Sequence, residues 1–408
     1  MYIDYLKLKE KYNTPLYVYD KSVINDKIHK LKDNFKSNLY KTEIIYASKA
    51  FSVKEMLRVI MDKGLSLDTV SIGEIYTAIN VGFDLNKIYF HGNNKSYDDL
   101  VFALNNNVGT IVVDNYMELL LLDEVAKSLN KVQKIMIRLN LGIEAHTHKY
   151  IVTSHVDSKF GVLYNSDDYK NMINFINNSN NIKLIGFHSH IGSQIFELDA
   201  YKAEIEKLIR ISKEFSYPLE LNLGGGFGAF YTNEDKPIPL DEVAKFLVKT
   251  TDEVLNKENA KIAKLLIEPG RSIVAEAGTT LYTIGFIKKT PNKEYYFIDG
   301  GMTDNIRPAL YQAKYDAFIV GKENDERSHT VTIAGKCCES GDLIIEDYKL
   351  PPATSGDLLV TKTTGAYGYA MSSNYNKALT PAVVFVDEDN DYLVVKRQSL
   401  KELIEREI

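Results

Sequence analysis

The stretch Glu43-Ile-Ile-Tyr46-Ala-Ser-Lys49 decides the fold, because it opens a pattern that repeats along the chain. Its β-branched and aromatic residues predict a short strand. Lys49 follows at the end of that strand, so its amine is expected at the edge of whatever sheet the strand joins. A lysine in this position is ordinarily a surface residue, and only the repeated units around it can give Lys49 a chemical role.

Seven further apolar runs follow at regular spacing, and stretches with helical periodicity separate them. Eight alternating strand and helix units over about 240 residues match the size of a (β/α)₈ barrel, also called a TIM barrel. A doubly wound open sheet is the alternative, because it is built from the same alternating units. The eight predicted strands lie near residues 43–46, 65–70, 87–90, 110–114, 134–140, 183–188, 219–223 and 265–268.

Polar residues collect where these predicted strands end. The first strand ends at Lys49, and the sixth runs into His188-Ser-His190. The seventh runs into a glycine-rich stretch at residues 224–228, and the eighth ends at Glu268. A barrel demands this arrangement, since its active site lies at the C-terminal ends of the strands and phosphate binds after strands seven and eight. The polar residues therefore favour the barrel over the open sheet.

The pattern changes after about residue 272, where β-like segments separated by Gly and Pro replace the alternating units. We interpret this part as a second, mostly antiparallel β domain. A strand predicted at residues 16–19 precedes the barrel and has no partner there, so it is expected to join the second domain. The sequence thus predicts a barrel over residues 22–271 and a β-rich domain over residues 1–21 plus 272–408.

Composition and charge exclude several classes of function. The chain of 408 residues has a net charge of −6, so it has no basic footprint for nucleic acid or an anionic membrane. No apolar run approaches the roughly 20 residues that span a bilayer, and the N-terminus lacks the pattern of a signal peptide. The two cysteines, Cys337 and Cys338, are adjacent and form no disulfide framework. These features predict a cytoplasmic protein with no nucleic-acid or membrane partner.

Four of the strand-end features suit one cofactor. Lysine holds pyridoxal phosphate as an imine, and a glycine-rich loop lets backbone N–H groups approach a phosphate. An imidazole could lie against an aromatic ring, and Glu268 could be a general base, a salt-bridge partner or the partner of a heterocyclic nitrogen. His188 and His190 are predicted on one face of a strand. A metal pair is thus possible, but no further ligands with metal spacing accompany them. Together these features favour pyridoxal phosphate and no metal.

Several motifs resemble those of the diaminopimelate decarboxylases, pyridoxal-phosphate enzymes with the alanine racemase-like fold of a barrel and a β domain. The resemblance runs from residue 14 to residue 376. It implies decarboxylation of meso-2,6-diaminopimelate to L-lysine and CO₂, the last step of lysine biosynthesis. Its most specific parts are Phe90-His-Gly-Asn-Asn-Lys95, Ser158-Lys-Phe-Gly161, His190-Ile-Gly-Ser-Gln194, Glu268-Pro-Gly-Arg271, Ile306-Arg-Pro-Ala-Leu-Tyr311 and Cys338-Glu-Ser-Gly-Asp342.

The resemblance also implies a role for each matching residue. Lys49 would carry the cofactor, His190 would stack on its ring, and Glu268 would pair with the protonated ring nitrogen. Glu339 would bind the substrate's distal ammonium, and Cys338 would supply a proton. The cofactor, chiefly its phosphate, would also contact Ser193, Gly225, Gly226, Gly228, Gly270, Arg271 and Tyr367. The substrate, chiefly its distal carboxylate, would contact Arg271, Arg307, Tyr311 and Tyr367.

In this family Cys338 and Glu339 cross into the partner's site, so the resemblance implies a homodimer with shared active sites. The β-rich domain would then complete each site. A decarboxylase of ornithine, arginine or another basic amino acid is one alternative, but it would not need Arg307 at a distal carboxylate. A non-catalytic homologue that binds partners is another alternative, and it would not need Lys49, Glu268 and Cys338 intact.

Overall fold

The computed structural model describes residues 3–143, 157–388 and 390–408. The chain divides into two compact units. The first, which we call the barrel unit, comprises Lys27–Gly228 and Pro237–Gly270. The second, which we call the β unit, comprises Met1–Asp26, Ala229–Lys236 and Arg271–Ile408. The domain boundaries given by the sequence stay a prediction, and the structure groups the short segment Ala229–Lys236 with the β unit.

The described strands, in chain order, are β1 (Leu16–Asp20), β2 (Lys41–Ala47), β3 (Ser66–Thr69), β4 (Ile88–Phe90), β5 (Thr110–Val113), β6 (Gln133–Asn140), β7 (Val162–Leu163), β8 (Ile182–His188), β9 (Glu220–Asn222), β10 (Lys264–Ile267), β11 (Gly278–Lys289), β12 (Glu294–Ile298), β13 (Ala317–Ile319), β14 (His329–Ala334), β15 (Leu343–Leu350), β16 (Leu358–Thr361), β17 (Ala382–Asp387) and β18 (Asn390–Val395).

The described α-helices are α1 (Tyr5–Tyr12), α2 (Lys21–Asn34), α3 (Lys54–Asp62), α4 (Ile72–Asn80), α5 (Tyr97–Asn105), α6 (Tyr116–Ser128), α7 (Asp167–Asn178), α8 (Asp199–Ser212), α9 (Leu240–Glu258), α10 (Arg271–Val274), α11 (Arg307–Tyr311) and α12 (Leu400–Ile404). None of these helices is both long and apolar enough to cross a membrane.

Eight parallel strands in the described part of the barrel unit close into a barrel. They follow the order β5-β4-β3-β2-β10-β9-β8-β6, and pairing of β5 with β6 completes the circle. The short strand β7 pairs with the end of β6. Helices α3 to α9 follow the strands in turn. This architecture confirms the predicted (β/α)₈ barrel, because an open sheet would leave β5 and β6 apart.

Side chains of successive residues in a strand alternate between the two faces, so the inside of the barrel is built in layers two residues apart. An apolar cluster in its middle comprises Ile45, Tyr89, Val112, Met136 and Leu266. Two residues earlier on four of these strands, Glu43, Thr110, Lys134 and Lys264 line a polar pocket of about 560 Å³. Two residues later come the residues of the C-terminal end, among them His91 and Glu268.

The described part of the β unit contains one mixed, mostly antiparallel sheet. Its strands follow the order β15-β14-β12-β11-β1-β17-β18, with β16 paired to β11 and β13 paired to β16. The N-terminal strand β1 runs antiparallel to β11 and parallel to β17. It therefore joins this unit, as the sequence predicts. Its buried residues Leu16 and Val18 pack with Leu281 and Val384 in the core.

Five described elements of the β unit, α1, α10, α11, β13 and β15, have no counterpart among the sequence predictions. Helix α1 begins after Asp4, whose side chain accepts a hydrogen bond from the Lys7 N–H, but it buries only Leu8. Its amphipathic signal is therefore weak. Strand β15 contains Asp347 with φ of 48° and shifts its register against β14. These irregularities break the period of two by which a strand is recognised.

Candidate active site

Lys49 lies in a single 3₁₀ turn, Ser48–Ala50, directly after β2. Its two neighbours are buried, whereas the Lys49 side chain is exposed. Burial lowers the pKa of His190 well below its usual value, and the charge of Lys49 acts in the same direction. The amine of Lys49 and the imidazole of His190 are therefore electrostatic neighbours within the barrel unit.

The glycine-rich run after β9 approaches other groups so closely that no side chain fits. A Cβ added at Gly225 or Gly226 would lie 2.1 or 2.3 Å from a backbone oxygen, and one at Gly228 would lie 2.4 Å from a phenylalanine ring. The Gly225 N–H donates to Nδ1 of His190 at 3.3 Å. The run thus packs against the loop that carries His190 and the half-buried Ser193.

The ends of β10 and β2 bring Glu268 and Lys49 onto neighbouring segments. The two strands pair in parallel, and the Ala47 N–H donates to the Pro269 carbonyl oxygen at 3.2 Å. A Cβ at Gly270 would lie 2.9 Å from the Cβ of Ala47, so glycine is needed at this close approach. Lys49, His190 and Glu268 are accordingly gathered at the C-terminal end of the barrel.

Glu268 is buried and accepts three hydrogen bonds. His91 Nε2 and Asn222 Nδ2 bond to Oε1 at 2.9 and 2.7 Å, and His188 Nε2 bonds to Oε2 at 3.1 Å. Burial opposes ionisation, but the interactions with His91 and His188 hold the pKa of Glu268 well below its usual value. Burial also lowers the pKa of His188 to about 4, so a neutral imidazole donates its Nε2–H. Glu268 is therefore an ionised carboxylate inside the barrel.

His188 contacts other residues than the sequence predicts. Strand β8 ends at His188, so His190 lies beyond the strand and the prediction that both imidazoles share its face is wrong. His188 instead meets His91 and Glu268, with ligand atoms within 4.8 Å of one another. A metal could bind such a trio, but both Nε2 atoms lie at hydrogen-bond distance from the carboxylate oxygens. We assign the trio to hydrogen bonding.

Sequence reasoning missed His91 and Asn222 as partners of Glu268. The sequence did contain a signal for both residues. Each follows a strand residue that faces the inside of the barrel by two positions, and side chains two positions apart point the same way. Asp68 also belongs to this layer, with Oδ1 4.0 Å from His91 Nε2. Burial raises the pKa of Asp68 to about 6. The barrel mouth therefore holds two carboxyl groups whose pKa values are moved in opposite directions.

Two motifs that carry the family resemblance, at residues 90–95 and 158–161, form part of the barrel wall. Lys95 ends in a buried ion pair, because its Nζ lies 2.6 Å from Glu118 Oε1 and also donates to two backbone carbonyls. The Gly161 N–H donates to Asp114 Oδ1 at 3.1 Å. These contacts tie the loops after β4 and β6 to the barrel, so both motifs have a structural role.

A second group of predicted residues lies in the β unit. Arg307 begins α11 and is buried, with Nη1 donating to Tyr315 Oη at 2.5 Å. Arg271 begins α10, and its Nη1 donates to Tyr231 Oη at 2.8 Å. The Arg271 guanidinium also lies over the Tyr367 ring, 4.8 Å from its centroid. Sequence reasoning missed both tyrosines that bond to the arginines, since nothing in their local sequence marks them.

Tyr311, Cys338 and Glu339 are exposed. The Cys338 N–H donates to Asn376 Oδ1 at 3.0 Å, and the buried Asp342 carboxylate accepts from the Cys337 N–H at 2.8 Å. Burial raises the pKa of Cys337 to about 11, so Cys337 is a protonated thiol.

The barrel residues fit pyridoxal phosphate. The Gly225 N–H is bonded to His190, so the N–H groups further along the run are the ones that could approach a phosphate, and Lys49 offers an exposed amine for the aldehyde. Glu268 Oε2 accepts only one of the hydrogen bonds described above, and a carboxylate oxygen can accept a second, from a ring nitrogen. A lysine, an anion-binding loop and a buried carboxylate at the C-terminal end of a barrel define a pyridoxal-phosphate enzyme.

Comparison with known proteins narrows this class. Residues 23–275 match the family model "pyridoxal-dependent decarboxylase, pyridoxal binding domain". A diaminopimelate decarboxylase of Bacillus methanolicus is 47% identical over 405 residues, which cover 98% of this chain and 94% of that protein. The chain belongs to the diaminopimelate decarboxylase family.

Solved structures agree with this assignment. The crystal structure of diaminopimelate decarboxylase from M. jannaschii in complex with L-lysine has a TM-score of 0.93 and 30% identity, covering 99% of this chain and 94% of that one. The enzyme from Helicobacter pylori complexed with L-lysine has a TM-score of 0.91 and 32% identity, covering 99% of both chains. The cofactor predicted from the sequence is confirmed by the family.

Proposed function

We propose that the protein removes CO₂ from meso-2,6-diaminopimelate to give L-lysine, with pyridoxal phosphate as cofactor. The buried guanidinium of Arg307 carries the substrate assignment, because its described partners are neutral phenol groups rather than a carboxylate. A distal carboxylate would neutralise this cation, whereas the distal ammonium of ornithine or lysine would be repelled by it. The names of the relatives support the same substrate.

The residues of the barrel unit would bind the cofactor. Lys49 Nζ would hold it covalently, and the flat imidazole of His190 would pack against its ring. Glu268 Oε2 would accept a hydrogen bond from the protonated ring nitrogen, and its ionised state would keep that nitrogen protonated. When bound, pyridoxal phosphate supplies an electron sink for the electron pair left behind by CO₂. The remaining contacts within the barrel unit, chiefly to the phosphate, would come from Ser193, Gly225, Gly226, Gly228 and Gly270, and the family resemblance implies two further residues, Arg271 and Tyr367.

The residues of the β unit would select the substrate. Arg271 and Arg307 would donate hydrogen bonds to the distal carboxylate, with help from Tyr311 and Tyr367. Glu339 would pair with the distal ammonium group. The exposed thiol of Cys338 would deliver the proton that replaces CO₂, and Lys49 Nζ is the other group able to do so.

The decisive experiment supplies purified protein with pyridoxal phosphate and meso-diaminopimelate and measures CO₂ and L-lysine. We expect both products in equal amounts, and borohydride should fix the cofactor on Lys49. Lys49→Ala should lose activity by roughly 10⁴-fold or more, as expected for a residue that attaches the reactive group. Replacing the exposed Lys54 in the same way is the matched control. Equal turnover of diaminopimelate and ornithine would favour the alternative of a broader basic amino-acid decarboxylase.

We infer further that the enzyme is a cytoplasmic homodimer whose sites are shared. The inference is supported by the family resemblance and by the exposure of Cys338 and Glu339, which are expected to act on the substrate of the other subunit. Mixing inactive Lys49→Ala protein with inactive Cys338→Ala protein should restore part of the activity, since one hybrid site has both residues. Proven subunit exchange without recovered activity would contradict sharing.

A further inference from the structure

Two tyrosines of the β unit join the arginines that the proposed function assigns to the distal carboxylate. Arg271 Nη1 donates to Tyr231 Oη at 2.8 Å, and Arg307 Nη1 donates to Tyr315 Oη at 2.5 Å. The two rings meet edge to face with centroids 5.5 Å apart. The Arg307 guanidinium also lies 4.9 Å from the centroid of the Tyr231 ring. These four side chains form one contiguous group, which we call the Arg–Tyr cluster.

A phenol can hold a guanidinium in place without neutralising it. A carboxylate in the position of Tyr315 would cancel the charge of Arg307 and compete with the carboxylate of a ligand. A neutral hydroxyl fixes one N–H, and an aromatic face favours the cation electrostatically. A guanidinium has five N–H donors, and the hydrogen bond of Arg307 to Tyr315 uses one of them, so other donors of Arg307 can bind a planar carboxylate through two parallel hydrogen bonds.

The chain secures both tyrosines by contacts outside the cluster. Tyr231 lies in Ala229–Lys236, where its N–H donates to Asp235 Oδ2 at 3.1 Å. Lys314, the residue before Tyr315, forms an ion pair with Glu234 at 2.9 Å. Tyr231 is 5% and Tyr315 is 2% exposed. Burial of both rings, more than the exposed Lys314–Glu234 pair, therefore restrains the phenols, and their orientation is passed on to the two guanidinium groups.

We propose that Tyr231 and Tyr315 are positioning residues that give the site its selectivity for a substrate with a distal carboxylate. The proposal rests on the proposed function of Arg271 and Arg307 and deepens it, because it states what aims the two cations. Pre-ordering of this kind lowers the entropy lost when a ligand binds. It acts on binding of the distal carboxylate and not on the reacting carbon.

The test compares Tyr231→Phe, Tyr315→Phe and the double variant with the wild-type enzyme. Each single variant keeps the ring and removes one hydroxyl, so one arginine loses its hydrogen bond. We expect KM for meso-diaminopimelate to rise about 10-fold in each, the size of one hydrogen bond to a charged group. The turnover number kcat should stay within about two-fold, because binding of the far end is equal in ground and transition states.

Two competitive inhibitors separate positioning from a general structural role. Pimelate, a seven-carbon dicarboxylate, has the distal carboxylate, and 1,5-diaminopentane, which has no carboxylate, lacks it. The inhibition constant of pimelate should rise about 10-fold in both variants, while that of 1,5-diaminopentane should stay unchanged. Tyr295→Phe is the matched control, since Tyr295 stacks on Phe297 elsewhere in the β unit. It should leave both constants unchanged.

The outcomes distinguish this inference from the proposed function. If the wild-type enzyme prefers diaminopimelate but both variants retain wild-type KM and pimelate inhibition, the positioning role is overturned. Equal weakening of pimelate and 1,5-diaminopentane would also overturn it, because a disturbed fold does not discriminate between them. If the wild-type enzyme shows no preference for a distal carboxylate, the proposed function itself fails.

Discussion

The barrel unit buries an anion and the β unit buries a cation, and the two charges are satisfied in different ways. Glu268 accepts hydrogen bonds from His91, Asn222 and His188. Arg307 contacts phenol groups, which orient it without an opposite charge. The ionised state of Glu268 is therefore fixed by the protein, whereas the charge of Arg307 remains for a ligand to neutralise.

This difference matches the two tasks that the proposed function gives them. A carboxylate that pairs with a ring nitrogen has to be ionised throughout the reaction, and a set of N–H donors secures that. A cation that recognises a substrate carboxylate is more selective if nothing inside the protein competes for it. Sites built to bond a substrate group can reject analogues without it by about 10⁴-fold, since the group of the site is then left unpaired.

The largest effect is expected for Glu268→Gln, which tests whether the buried anion of the barrel unit is required for catalysis. This change keeps the shape of the side chain but removes its charge. Breaking a buried ion pair costs roughly 3–5 kcal/mol. The turnover number kcat should therefore fall by about 10²–10⁴-fold with every amino-acid substrate. Steady-state kinetics and the visible spectrum of the bound cofactor measure the effect.

A second buried glutamate supplies the control for this prediction. Burial raises the pKa of Glu204 well above its usual value, and its Oε1 accepts a hydrogen bond from the Ser189 hydroxyl that a glutamine could also accept. Glu204→Gln should therefore be nearly silent. Wild-type kcat in Glu268→Gln would show that ionisation at this position is not needed.

Removing Arg307 tests whether the buried cation of the β unit recognises the distal carboxylate of the substrate. Arg307→Ala should lower kcat/KM for meso-diaminopimelate by about 10–150-fold, from the loss of one charge-assisted hydrogen bond of roughly 1.5–3 kcal/mol. Its effect on L-lysine or L-ornithine as poor substrates should be much smaller, because they lack the distal carboxylate. Arg327→Ala is the matched control, since Arg327 also donates to a tyrosine hydroxyl, that of Tyr348, but is exposed. Equal losses on all substrates would contradict the assignment.

The stability of the cofactor-free protein shows, without any catalytic assay, which of the two buried charges the protein itself satisfies better. Glu268→Leu should lower the free energy of unfolding by about 1–3 kcal/mol, because three buried donors lose their acceptor. Arg307→Met should cost less, since it also removes a buried charge whose desolvation is not offset by a carboxylate. Urea unfolding followed by circular dichroism gives both values. The reverse order would mean that Arg307 is the better-satisfied charge.

The smallest expected effect is a titration. The pKa of His188 is lowered to about 4 in the folded protein from an ordinary value of 6.5. A depressed pKa means that folding disfavours the protonated imidazole, so this contribution to stability is present above pH 6.5 and is lost as the pH falls towards 4. Nuclear magnetic resonance of the cofactor-free protein should show His188 neutral at pH 6, with His188→Gln identifying its signal. Protonation near pH 6.5 would contradict the neutral donor.

The sequence by itself determined the barrel and the positions of its main reactive groups. Strand and helix periods are local properties, so the eight predicted strands overlap strands of the barrel. Lys49 and Glu268 were identifiable because both directly follow such strands, and in a barrel the ends of strands form the active site. The sheet of the β unit was predicted less completely, because bulges and an interrupted period hide β15.

Only the tertiary structure decided which polar groups meet. His91 and Glu268 are 177 residues apart in the chain, and closure of the barrel brings their strands' ends together. Tyr231 and Arg271 are 40 residues apart in the chain, and the folding of the β unit brings them into contact. The hydrophobic pattern of a strand reports which face is buried, but it carries no information on which distant side chain lies across that face. The partners of a buried charge are therefore set by packing, and the charge itself by sequence.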